Sequence, residues 1–222
     1  MIKVAAAIPL WGWTAMAVIS LFFLLFPQAD LSVASLFYVP SGGFPAAKSF
    51  WEQVLYYSVP YGLMVLYGAA ALLWLFNAVF NRNVMRFTGR KLLYVLLVLG
   101  IGSGLIVNAL LKEHWGRARP AETIVFGGHK TFSPAFVPVS GQVGNSFSCG
   151  HASGAFALLA FARLARRRRL WSMLVLGYGA VVGVARMAAG GHFLSDVAVS
   201  FFIMYIVTEL LYAILFPPKE TP

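Results

Sequence analysis

The chain has 222 residues, of which 60% are hydrophobic, 15% aromatic and only 11% charged, with a mean hydropathy of +0.79. Soluble domains carry roughly 25% charged residues, so this composition describes an integral membrane protein. A formal net charge of +10 does not point to nucleic acid, because the cations gather in short loops between apolar runs and no basic helix with interleaved aromatics is present. The single cysteine, Cys149, excludes an intrachain disulfide.

The first apolar run, Ala5 to Phe26, exceeds the roughly 7–15 residues of a signal-peptide core, and no A-x-A site precedes Asp30, so it reads as a first spanning helix. Residues 27–53 hold Pro27, Pro40, Gly42, Gly43 and Pro45, with an apolar patch from Leu31 to Val39 suited to the interface. A second span covers about Val54 to Phe80 and a third Leu92 to Leu111, separated by Arg82, Arg86, Arg90 and Lys91. Residues 112–147 are polar and contain Gly and Pro, a length that marks a functional segment rather than a simple connection. The fourth span starts near Cys149 and runs to about Ala165, with Ala152, Ser153, Gly154 and Ala155 permitting close helix contact. Arg163 and Arg166 to Arg169 end it. A fifth span runs from Leu170 to about Ala185, and a sixth from about Phe193 to Phe216. Glu209 is costly in hydrocarbon, so it is expected to face other helices. Trp115, Trp11 and Trp13 read as interfacial anchors, and His114 and His129 as loop residues. With no internal repeat, residues 1–222 form a single all-α domain of six transmembrane helices.

Loop charge orients it. Residues 81–91 and 163–169, with Lys3 and Lys219, fall on one side, which the positive-inside rule makes the cytoplasm. The opposite side receives residues 27–53, 112–148 and 186–192, and with them every candidate catalytic residue.

Three segments there carry chemistry. Lys112, Arg119 and Pro120 close the first; an Arg fork and a Lys point charge together suit a phosphoryl group. The second, Ser146 to Ala152, opens a helix whose free N–H groups favour an anion, with Gly150 allowing close approach and His151 placed to act as a general acid. Its bland reading is a cap made by Ser146 or Ser148. In the third, Arg186 precedes a small-residue turn, and His192 and Asp196 are four apart, so a helix would put them on one face. A carboxylate there fixes the imidazole tautomer and leaves the other nitrogen free to attack.

The order K-x6-R-P, P-S-G-H, S-R-x5-H-x3-D resembles the type 2 phosphatidic acid phosphatase (PAP2) family of membrane lipid phosphatases, which shares its helical core and site with vanadium haloperoxidases. The matching residues are Lys112, Arg119 and Pro120; Gly150 and His151; and Arg186, His192 and Asp196. The resemblance implies His192 as a nucleophile that becomes phosphorylated, oriented by Asp196. It makes His151 the acid that protonates the leaving alcohol and then activates water. Lys112, Arg119, Arg186 and the backbone N–H groups of Cys149 and Gly150 would hold the phosphoryl oxygens. It also implies no metal or other cofactor. A metal site of His151, His192 and Asp196 is opposed by the neighbouring cations.

The implied substrate is a phosphorylated lipid of a bacterial inner membrane, met at the periplasmic face: lipid A 1-phosphate, undecaprenyl diphosphate, phosphatidylglycerophosphate or phosphatidate. Gly116 to Pro120 and Gly190 to Asp196 look most like lipid A 1-phosphatase-type members. A lipid-to-lipid phosphotransferase using the same site is the alternative. An anion transporter fits less well, since its cations would line the spans. Two positions depart from the pattern: Cys149 stands where the family has serine, with Ser148 in place of its proline, and Ala185 replaces the serine before the arginine. A cysteine-phosphatase reading fails, because Ser148 and Ala155 occupy the positions of its His and Arg.

Overall fold

The computed structural model describes residues 8–217; Lys3, Lys219 and the start of the first predicted span lie outside them. Eight helices carry the described chain: α1 (Leu10–Leu25), α2 (Gln28–Ser35), α3 (Phe50–Val79), α4 (Gly89–Lys112), α5 (Gly150–Ala157), α6 (Leu159–Leu164), α7 (Arg168–Ala188) and α8 (Leu194–Leu215). Four of them, α3, α4, α7 and α8, are long and apolar enough to cross a membrane. The pair α1 and α2 makes a fifth if its 85° bend is taken as one broken span. The fourth predicted span is interrupted at Leu158, between α5 and α6. Among the described residues two isolated bridges are the only β pairing.

Small residues decide how the helices pack. A Cβ on Gly102 of α4 would stand 2.7 Å from the sulfur of Met204 on α8, and one on Gly183 of α7 would stand 2.5 Å from Val197. Gly179 lies equally tight under the ring of Phe156. Such positions let backbones approach where no hydrophobic force drives helices together. The second half of α4, Val98–Lys112, is wound with π turns. Asn108 donates to the Ser103 carbonyl at 2.7 Å inside this stretch, while the Ser103 and Ser153 hydroxyls meet at 2.8 Å across to α5.

Successive long helices run antiparallel. Tyr94, early in α4, donates to the Thr208 carbonyl late in α8, and Trp74 of α3 lies against Gly89. Near that end, Arg163 stands 3.3 Å from Glu209, its guanidinium 3.6 Å over the ring of Tyr212. Glu209 therefore does face a neighbouring helix, and Arg163 leaves the basic loop to meet it. The opposite end gathers the turn after α2, the long loop after α4, and the α7–α8 turn. That loop doubles back on itself: Val139 N donates to the Trp115 carbonyl at 2.9 Å and Ser146 N to that of Arg117 at 3.0 Å. Gly116 takes a positive φ of 70° where a Cβ would meet the Val139 oxygen at 2.3 Å, so only glycine closes this turn. Trp115 stacks on Phe147 at 4.7 Å with a buried indole N–H, and is a packing residue rather than the interfacial anchor its sequence position suggested.

Candidate active site

Five chain segments bring functional side chains to this end: α2, the start of α3, the loop after α4, the start of α5 and the α7–α8 turn. α7 extends to Ala188, so Arg186 belongs to its last turn. Gly190 then reverses the chain at φ 66°, and Gly191 lets the Arg186 guanidinium fold against it; a Cβ there would stand 2.6 Å from Nη2. His192 follows, and α8 begins at Leu194.

The expected helical face for His192 and Asp196 does not form, because His192 precedes the helix cap, Phe193. Its Nδ1 instead meets the carbonyl oxygen of Ser146 at 2.7 Å, with the Asp196 carboxylate at 3.7 Å. A carbonyl only accepts, so Nδ1 carries the hydrogen and Nε2 is the free end. Asp196 acts one step back, as the third residue of α8. Its Oδ2 accepts from Phe193 N at 2.8 Å and from the Ser146 hydroxyl at 2.6 Å, which fixes the residue whose carbonyl holds the imidazole. Burial pulls the pKa of His192 down, but the Cys149 sulfur and the Asp196 carboxylate more than offset this and push it up to about 9.

Beneath Asp196 lies a buried charge network. Arg117 donates through Nη1 to Asp196 Oδ1 at 2.5 Å and to the Ser195 hydroxyl at 2.7 Å. Through Nη2 it donates to Asp30 at 2.8 Å, and through Nε to the Ser133 carbonyl at 3.0 Å. Asp30, on α2, also takes the Ser195 N–H at 2.9 Å and its hydroxyl at 2.6 Å. Arg117, Asp30 and Asp196 have no exposed surface at all. Burial works against the charge on Arg117, and the Asp196 and Asp30 carboxylates hold its pKa above the usual value.

His151 occupies the first turn of α5, which Cys149 caps: its sulfur accepts from Ala152 N at 3.4 Å. The cap is therefore neither Ser146 nor Ser148. A Cβ on Gly150 would fall 2.8 Å from the Asn108 amide oxygen, so glycine is required there for α4 and α5 to close. Ala121 N donates to the Gly190 carbonyl at 3.0 Å and His192 Nδ1 to that of Ser146 at 2.7 Å, so the three sequence segments do meet, and the charges of Arg186, His192, Lys112 and Arg119 all bear on His151. Arg119 donates its backbone N–H to Glu122 at 3.0 Å. The Nε–H groups of Arg119 and of Arg186 are buried, with no hydrogen-bond partner among the described residues.

Sequence reasoning missed Asp30, Arg117, Glu52 and Tyr56. The second span was expected from Val54, but α3 starts at Phe50. That puts Glu52 and Tyr56 four apart on one helical face. Glu52 forms an ion pair with Arg186 Nη1, and the Tyr56 ring lies 4.0 Å from that of His151 and 4.9 Å beneath the Arg186 guanidinium. A carboxylate one residue inside an apolar run was the available signal.

The PAP2 superfamily profile matches residues 91–219. The chain belongs to that superfamily. It is 34% identical over 210 residues to a lipid A 4'-phosphatase of Francisella tularensis subsp. novicida (strain U112), covering 90% of this chain and 92% of that one. Lipid A 4'-phosphatases of Rhizobium leguminosarum and Rhizobium etli are 28% and 30% identical over 226 residues, 92% of this chain in each case and 93% and 84% of theirs. No solved structure matches it. This PAP2 protein is a membrane-bound lipid phosphatase. The expected likeness to lipid A 1-phosphatases meets the lipid in those names, while the position they print is 4'. All three motifs lie inside the matched region; Asp30, Glu52 and Tyr56 lie outside it.

Proposed function

We propose that this chain removes a phosphate from a membrane lipid at the periplasmic face of a bacterial inner membrane, through a phosphohistidine on His192. One observation carries the reading: the Nε–H groups of Arg119 and Arg186 are buried and unpartnered among the described residues, in a cluster that also holds His151 and His192. Buried donors cost free energy unless something accepts from them, and a phosphoryl group presents the oxygens to do so.

In this mechanism Nε2 of neutral His192 attacks phosphorus. The N–P bond forms as the ester P–O bond breaks, and His151 gives its proton to the departing oxygen. His151, now neutral, takes a proton from water, whose oxygen displaces the histidine and releases phosphate. Lys112, Arg119, Arg186 and the N–H group of Gly150 offset the charge on the equatorial oxygens, while the Cys149 N–H expected to join them is taken by the Asp196 carbonyl at 3.3 Å. Asp196 and Ser146 hold the imidazole on line.

The topology proposed with it has residues 1–222 as one domain that crosses six times, α1, α3, α4, the α5–α6 pair, α7 and α8, with both termini cytoplasmic. Arg82, Arg86, Arg90 and Lys91, and Arg166 to Arg169, then lie on the inside, as the positive-inside rule requires. Names of the relatives favour a lipid A phosphate as substrate, taken from the bilayer with its acyl chains left in place. The test is phosphate release by purified protein from lipid A phosphates, undecaprenyl diphosphate, phosphatidylglycerophosphate and phosphatidate, beside His192→Ala and His151→Ala. Both variants are expected to lose nearly all activity, and a labelled substrate should leave acid-labile phosphate on the wild type. Activity retained in His192→Ala, or label passed to a second lipid, would overturn the hydrolytic reading.

A further inference from the structure

Glu52 is a carboxylate inside a site built for anions. Its side chain is 5% exposed, and it holds one end of the Arg186 fork through Nη1. The other edge, with its buried Nε–H, stays without a partner among the described residues. Tyr56, one turn further along α3, lies between Arg186 and His151. So a helix outside all three motifs fixes the direction of one phosphate ligand relative to the acid.

In the resting site, before His192 gives up the proton that its attack requires, the charges beneath the pocket cancel: Arg117 and the imidazolium of His192 face the carboxylates of Asp30 and Asp196. Glu122 is met by Lys130 at 3.2 Å in the loop. What remains around the pocket is Lys112, Arg119 and Arg186 against Glu52. Three cations and one anion leave two positive charges, which a phosphomonoester dianion neutralises. A diphosphate brings a further negative charge to a site where a carboxylate already stands, and like charges at close range in a partly buried site repel.

We propose that Glu52 is a positioning and specificity residue, aiming Arg186 and setting the pocket's charge so that it takes a lipid phosphomonoester in preference to a lipid diphosphate and lets product phosphate leave. This rests on the phosphatase reading above. Acting through Arg186, Glu52 does not itself touch the reacting atoms.

The test uses the full chain in bilayer nanodiscs. Phosphate release is measured from a monoester lipid, phosphatidate, and from a diphosphate lipid, undecaprenyl diphosphate, together with inhibition by inorganic phosphate, for wild type, Glu52→Gln and Glu52→Asp. Wild type is expected to favour the monoester. Glu52→Gln should bind inorganic phosphate about tenfold more tightly, the order expected from removing one nearby charge. Its kcat on the monoester should fall, and its diphosphate-to-monoester ratio of kcat/KM should rise. Glu52→Asp, which keeps the charge, should retain the wild-type ratio. A merely structural role would loosen phosphate binding, not tighten it. Unchanged or weaker inhibition in Glu52→Gln overturns the proposal. So does a wild type that hydrolyses the diphosphate as well as the monoester, a result available even if the variant does not fold. Either leaves the phosphatase reading standing, whereas no release from any lipid by wild type strikes that reading first.

Discussion

Arg117 and Arg119 leave the same loop two residues apart, yet their surroundings differ in kind. Arg117 has every face of its guanidinium engaged, by two carboxylates, a serine hydroxyl and a backbone carbonyl, and Phe193 covers its plane at 4.5 Å. Arg119 is half-buried and keeps an Nε–H with no partner among the described residues. Burial alone does not separate the structural arginine from the one proposed to bind phosphate; the completeness of the hydrogen-bond shell does. A saturated guanidinium has nothing left to offer a substrate, and an unsaturated buried one is costly until it receives an anion.

Substitutions can break that comparison from either side. The largest loss of activity is expected at the pocket floor, where His192→Ala should reduce phosphate release at least about 10³-fold by removing the proposed nucleophile, while its melting temperature in detergent stays close to wild type. Arg117→Met should act on folding. It strands Asp30 and Asp196 as buried, unpaired carboxylates, a loss of about 3–5 kcal/mol, visible as a sharply lowered melting temperature and poor recovery. Arg119→Met should do the reverse: a melting temperature within a degree or two of wild type, and roughly 10²-fold lower kcat/KM from loss of a proposed charged phosphate ligand. If Arg117→Met melts normally and merely slows turnover, the division between the two arginines is wrong. Asp30→Asn is gentler, since the amide oxygen can still accept from Arg117 and Ser195. A cost of about 1–2 kcal/mol and a modest fall in kcat with unchanged KM are expected, because Asp30 reaches His192 only indirectly, through Arg117 and Ser195 to Asp196 and then Ser146.

The contrast also marks how far the sequence could be read. Helical spans show themselves locally, as runs of apolar residues long enough to cross, and the third, fifth and sixth were placed within about three residues of α4, α7 and α8. The convergence of Lys112, Arg119, His151, Arg186 and His192 followed from spaced motifs and loop charge. The buried network did not. Asp30 is 87 residues from Arg117 and 165 from Ser195, and nothing in a local pattern announces a tertiary ion pair. Spacing also misled at His192 and Asp196, where i to i+4 suggested one helical face. The true partner of Nδ1 is a main-chain carbonyl at Ser146, a group every residue carries and no sequence motif can single out. Glu209 was legible as a charge needing company, but its partner Arg163 was hidden among the arginines that follow it.

The smallest effect belongs to Cys149, and it tests the pocket rather than the frame. Its sulfur caps α5 by accepting from Ala152 N at 3.4 Å, and thiols accept weakly. Serine is among the preferred caps, so Cys149→Ser should raise stability by roughly 0.5–1 kcal/mol, a shift of a degree or two in melting temperature. The same sulfur also helps hold the proton on His192. Replacing it with a hydroxyl removes a contribution that raises the imidazole pKa, so the folded-state value falls. The proposed attack requires the neutral imidazole, and the acid limb of the kcat/KM profile should therefore move to lower pH, with activity near neutrality equal to or above that of wild type. A limb that stays in place would mean that Asp196 and the Ser146 carbonyl set the protonation of His192 without help from the thiol. A large loss of turnover would instead give the sulfur a direct contact with the phosphoryl group, and would move Cys149 from the supporting structure into the set of ligands proposed to begin with Arg119 and Arg186.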